Sequence, residues 1–153
     1  MPVTPGPGPA LAPSTGRVVA RLARQVDQAL GDAGLSMPQY RVLCFLDEVD
    51  GAAASAVAGR LQVTRPSVTA LVDGLVTRGL VERRPSTTDR RSVEHHLTAD
   101  GRHALDAGDL AVQRRLGELA APLSDAARTD ARAGLEAWGA ALDHARQAFL
   151  AAR

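Results

Sequence analysis

The stretch from Ser55 to Leu97 leaves this chain little choice of fold. It offers a short helix, SAVAGRL, a turn at Gln62, Val63 and Thr64, and a second helix, TRPSVTALVDGLVTR, closed by Gly79. LVERRPSTTDRRSVEHHL then reads as strand, loop, strand. Chemistry bounds the second helix at both ends. Thr64 is expected to accept a hydrogen bond from a free amide of the first turn, Pro66 is tolerated where amides have no helical partner, and Gly79 suits a left-handed stop. Between these limits Val68, Leu71, Val72 and Leu75 recur at helical spacing and predict a buried face, which turns Arg65, Ser67, Thr69, Ala70 and Asp73 elsewhere. Val81 to Arg84 and Ser92 to Leu97 pair as a hairpin around the polar loop PSTTDR.

Charge is distributed unevenly about this stretch. From Ser55 to Leu97 there are seven arginines against four acidic residues, while the remainder holds eleven against thirteen. The net charge of +1 says little about partners, but its placement does. Small and polar side chains at the start of the second helix suit a major groove, and Arg83, Arg84, Arg90 and Arg91 crowd the hairpin, where they reach phosphates or a narrow minor groove. Asp89 is expected to hold a neighbouring guanidinium in a fixed direction. The DNA-binding candidates are therefore Thr64, Arg65, Pro66, Ser67, Thr69, Ala70 and Asp73 from the helix, with Arg84, Asp89, Arg90 and Arg91 from the wing. The same fold also serves as a docking module for a partner protein, and that alternative stays open at this point.

From Ser36 to Gly101 the chain resembles the MarR family of bacterial transcriptional regulators. The residues that carry the likeness are SMPQYRVLCFL, VAGRLQVTRPSVTALVDGLVTRGLVERR and DRRSVEHHLTADG, in that order. The resemblance implies a mainly α fold with a small β-wing: a winged helix-turn-helix over residues 35–98, flanked by dimerisation helices over 14–34 and 99–152. It implies a homodimeric repressor on a pseudo-palindromic operator in double-stranded DNA, released by a small aromatic or anionic effector. Tyr40, with Arg21 or Arg24, is the expected contact for such a ligand; an effector-independent DNA binder is the alternative.

The flanks fit this plan. A chain of 153 residues with 45% hydrophobic and 3% aromatic content, rich in alanine and leucine, favours one helical domain with a sizeable core. Residues 1–13 hold five of the nine prolines and no charge, and are expected to be a disordered tail. Ser14 or Thr15 then caps a first helix with a stripe of Val18, Leu22, Val26 and Leu30, ended by Gly31 and Gly34. Ser36 caps a second helix that runs to about Val49. Thr98 and Asp100 cap a helix to about Ala121, and Ser124 caps a last helix to about Ala152. In that last helix Ala131, Leu135, Trp138, Leu142, Ala145 and Phe149 alternate spacings of four and three, the pattern of a seam that packs another helix at a shallow angle. Val18, Leu22, Leu135, Trp138, Leu142 and Phe149 are the candidate dimer contacts.

Other chemistries lack their signatures. The single cysteine, Cys44, lies among apolar neighbours in mid-helix and reads as a buried, inert thiol, in keeping with a cytoplasmic protein. His95 and His96 are adjacent on a strand, so their side chains face opposite ways and cannot share a metal. They read as structural. No phosphate loop, nucleophile elbow, secretory signal or membrane-spanning run is present, and no catalytic residue, metal or cofactor is expected.

Overall fold

The computed structural model describes residues 11–86 and 92–151, the last three of them by backbone alone. Its elements in chain order are α1 (Thr15–Asp32), α2 (Met37–Val49), β1 (Ala52–Ala53), α3 (Ala54–Leu61), α4 (Arg65–Thr77), β2 (Val81–Pro85), β3 (Val93–Leu97), α5 (Ala99–Ala120) and α6 (Asp125–Ala151). Two compact units result, Met1–Leu116 and Gly117–Arg153.

In the first unit α2 lies at the centre. Its start is fixed by a capping box: Ser36 Oγ accepts from the Gln39 amide at 3.3 Å, and Gln39 Oε1 accepts from the Ser36 amide at 3.0 Å. It buries Val42, Leu43 and Leu46 in a core that takes Leu30 from α1, Val57 and Leu61 from α3, Val68, Val72 and Leu75 from α4, Val81 from β2 and Leu105 from α5. Each fully buried side chain of this kind contributes about 1.5–3 kcal/mol of transfer free energy. The helix-turn-helix is thus held by its hidden face. Leu71, expected on that face, is only partly buried at its margin.

Two details depart from expectation. Thr64 adopts the extended N-cap conformation, but its side chain caps nothing; its Oγ1 instead shares a hydrogen bond of 2.8 Å with Ser67 Oγ. Pro66 removes one of the amides within reach, and the Ser67 hydroxyl takes the oxygen that the other would use. Ser14 likewise makes no side-chain cap bond. It is already helical in backbone, after a turn closed by the Thr15 amide on the Ala12 carbonyl at 2.9 Å, so its hydroxyl is not aimed at the free amides.

The sheet has three strands, where the sequence predicts two. Its order is β1-β3-β2, antiparallel throughout, with Val81 opposite Leu97, Arg83 opposite His95 and Ala52 opposite His95 on the other side. The pair Ala52–Ala53 is too short and too rich in alanine to announce a strand; it pairs because the turn after α2 lays it along β3. Gln62 closes the turn between α3 and α4 at φ 57, a left-handed conformation that glycine usually takes.

Gly79, at φ +71, ends α4. Its amide donates to the Val76 carbonyl at 2.9 Å, and the Leu80 amide to the Leu75 carbonyl at 3.0 Å. Thr98 joins this corner to α5: its Oγ1 donates to the Gly79 carbonyl at 2.7 Å and accepts from the Gly101 amide at 2.9 Å, while its own amide donates to the Leu80 carbonyl at 3.2 Å. Gly101 sits so close that a Cβ there would lie 2.0 Å from the Leu80 carbonyl oxygen.

In the second unit Ser124 Oγ accepts from the Ala127 amide at 3.3 Å at the start of α6. No described side chain of α6 is buried.

Candidate nucleic-acid interface

The arrangement presents the first turns of α4 outward because Val68, Val72 and Leu75 point inward. Arg65, Ser67, Thr69, Ala70 and Asp73 are all exposed, as are Thr64 and Pro66. Their hydrogen bonds are local: Thr69 Oγ1 donates to the Arg65 carbonyl at 3.1 Å, and Thr64 and Ser67 bond each other. Among the described residues, Arg65 makes no side-chain bond. It stands as an uncommitted guanidinium at the end of a helix where the backbone dipole is positive, so its charge is oriented outward toward any anion.

Asp73 does not point away unengaged as its position on the helix suggests. It forms an ion pair with Arg83, which ties α4 to β2. The sequence points to Asp89 as the acid that steadies an arginine, but Asp89, Arg90 and Arg91 lie outside the described residues. The pairing of Asp73 follows from register: Val81, Arg83 and Pro85 share one face of β2, and Val81 is buried in the core, so Arg83 emerges on the side where α4 passes. On the opposite face Arg84 pairs with Glu82, and His96 Nε2 lies 3.5 Å from Glu94. Ser86 Oγ donates to Glu94 Oε1 at 2.8 Å as the wing narrows.

His95 and His96 do face opposite ways. His95 is buried on the core side and its Nδ1 lies 3.2 Å from the Ala52 carbonyl, whereas His96 covers Gly51 on the other side. Among the described residues no group of three or more His, Cys, Asp or Glu side chains is placed to hold a metal, and no helix is long and apolar enough to cross a membrane.

The candidate ligand contacts do not converge into one finished site. Arg21 and Arg24 are exposed on α1, and neither bonds to Tyr40. Tyr40 is half-buried and its hydroxyl donates to Asp109 Oδ1 of α5 at 2.5 Å. Burial first, then that carboxylate, push the phenol well above its ordinary range. The neighbouring Cys44 thiol is also pushed up, chiefly by burial, which keeps it protonated and unreactive at neutral pH. Asp109 is a partner that helical periodicity did not single out; an isolated acid on a long polar helix carries no sequence signal. Beside it, Arg115 of α5 donates from Nε to Gln25 Oε1 of α1 at 2.8 Å.

The candidate dimer contacts are largely bare. Val18 and Leu22 on α1 are exposed, and on α6 Leu135, Trp138 and Leu142 expose 57%, 56% and 67% of their surface. The side chain of Phe149 lies outside the described residues.

Comparison with known proteins places this geometry. A model described as the MarR family matches residues 33–92. A transcriptional regulatory protein for the hcr operon of Thauera aromatica is 36% identical over 95 residues, 62% of this chain and 57% of that protein. The chain thus spans little more than half that relative's length. An HTH-type transcriptional repressor of Mycobacterium bovis is 31% identical over 110 residues, 69% of this chain and 79% of the repressor. Among solved structures, CouR from Rhodococcus jostii bound to p-coumaroyl-CoA superposes with a TM-score of 0.61 at 29% identity, over 79% of this chain and 85% of CouR.

Proposed function

We propose, for a chain that belongs to the MarR family, that it is a sequence-specific DNA-binding transcriptional regulator acting as a homodimeric repressor. The observation that carries this reading is the outward edge of α4, where Arg65, Ser67 and Thr69 stand exposed on a helix pinned from behind by Val68, Val72 and Leu75. Such an edge fits base edges and flanking phosphates in a major groove, while the wing's arginines reach the adjoining backbone. The names of the relatives, a transcriptional regulator and a transcriptional repressor, agree with it.

The bare seam of Leu135, Trp138 and Leu142 supports dimerisation. Apolar side chains at coiled-coil spacing are stable in water when a second helix covers them, and a second copy also supplies the second reading head that a pseudo-palindromic operator requires. The effector in this reading is a small aromatic or anionic ligand such as an aromatic carboxylate; the CouR structure holds p-coumaroyl-CoA, a thioester whose acyl part is aromatic. Its carboxylate would pair with Arg21 or Arg24 and compete with Asp109 for the Tyr40 hydroxyl.

Duplexes selected from a random-sequence pool test the reading. The selected site should carry two half-sites related by a dyad, and affinity should fall steeply as salt rises, since each arginine on a phosphate releases a counterion. Affinity that ignores salt, or no duplex retained, overturns the DNA reading and leaves the protein-docking module in its place.

A further inference from the structure

A single row of groups crosses the core side of the wing sheet: the Ala52 carbonyl on β1, His95 on β3, Arg83 on β2 and Asp73 on α4. His95 is the buried member, 6% exposed, and it stands directly opposite Arg83 in the register. A carbonyl only accepts, so the proton of the neutral ring is on Nδ1, directed to Ala52 at 3.2 Å, and an added proton goes to Nε2. We propose that His95 is a positioning residue of the wing, holding Arg83 on Asp73 while its ring is neutral and releasing that latch when it takes up a proton. This rests on the reading of the wing as a DNA-contacting element.

The electrostatics come from named neighbours. From β2 His95 faces Arg83, from α4 Asp73, from β1 the Ala52 carbonyl alone, and along its own strand His96. The other elements packed on β3 are α2 and α3. The charged residues of these helices are engaged with other partners: Arg60 with Glu48, Asp47 with Arg102, and Arg41 with the Leu61 carbonyl. A proton on the buried His95 ring therefore adds a second cation beside Arg83, whose half-exposed pair with Asp73 is the carboxylate the two cations share. Burial, the largest cause, depresses the basicity of the ring against an upward pull from the Ala52 carbonyl; the Arg83 charge lowers it further and the Asp73 charge raises it. The sign follows. The seated wing prefers neutral His95, so it loses ground as pH falls below the ordinary imidazole value of 6.5 and is undisturbed above it.

The test joins two measurements on the full chain across a pH series from neutral to about 5. In the DNA-free protein, NMR follows the His95 ring and the Arg83 Nε–H signal. In parallel, fluorescence anisotropy follows binding to a random-sequence duplex at low salt, where contacts to the backbone dominate. The expected result is that the Arg83 signal moves along the His95 titration and duplex affinity falls several-fold relative to His95→Gln, whose neutral amide still reaches Ala52. Asp73→Asn, which never forms the ion pair, should show an Arg83 signal that no longer follows His95 and an affinity without the wild-type acid loss. An Arg83 signal that ignores the His95 titration, or His95→Gln with the same acid loss of affinity as wild type, overturns the proposal. If Arg83 tracks His95 but no protein binds the duplex at any pH, the latch stands and the DNA reading falls.

Discussion

The reading head and the last helix are written in the same alphabet and end in opposite states. In α4 the apolar positions Val68, Val72 and Leu75 are fully covered by residues of their own chain. In α6 the apolar positions Leu135, Trp138 and Leu142 recur just as regularly, and more than half of each surface is bare. Periodicity states that a helix has an apolar face; what covers that face depends on the surroundings. Around α4 four other helices and a sheet converge on one core, whereas no described side chain of α6 is buried.

That contrast can be broken from the α6 side with the largest effect. Trp138→Glu puts a charge in the middle of the seam, where covering it with a second helix would bury an unpaired carboxylate. Light scattering should change from twice the chain mass to the chain mass, and circular dichroism of the head should persist. A variant that stays dimeric separates the seam from assembly. Next in size, Leu75→Ala leaves a cavity in the covered core and should cost about 2–5 kcal/mol in denaturant unfolding at every protein concentration. The concentration dependence distinguishes the two regions: strong for the seam, absent for the core. Arg65→Ala should leave unfolding unchanged and lose about 1–3 kcal/mol of discrimination on the selected duplex, since the side chain is exposed and uncommitted.

The smallest effects sharpen how each helix is started. Ser36→Ala removes half of a complete capping box and should cost about 1 kcal/mol. Thr64→Ala removes no cap bond and should cost only about a few tenths, visible in the same unfolding curves. An equal cost for the two would mean that Thr64 stabilises α4 in another way.

Much of this architecture was legible because the sequence carries redundant signals for it. Pro66 and Gly79 bracket α4, and the four-residue rhythm of its apolar positions agrees with both, so the bounds predicted from Thr64 to Arg78 fall within a residue of Arg65–Thr77. What failed to appear beforehand depends on single contacts. β1 exists through two alanines whose pairing is set by β3, and neither alanine has a strand preference to display. The Thr64 cap was preempted by one competing hydroxyl, which a positional rule for capping does not weigh. At the candidate site, the exposed positions of α4 were predictable from the pattern, but the Asp73–Arg83 pair required knowledge of which face of β2 turns toward α4. Tyr40 was singled out for a ligand; its partner Asp109 lies 69 positions away and became visible only when α2 and α5 came together.

The corner where Thr98 holds Gly79, Leu80 and Gly101 has a mechanical meaning. With three hydrogen bonds and no side chain at Gly101 to act as a cushion, the head of α5 is tied directly to the tail of α4. The end of α4 and the start of α5 therefore share one set of hydrogen bonds, and a change of direction in either helix there has to be taken up at Gly79, Leu80 and Thr98.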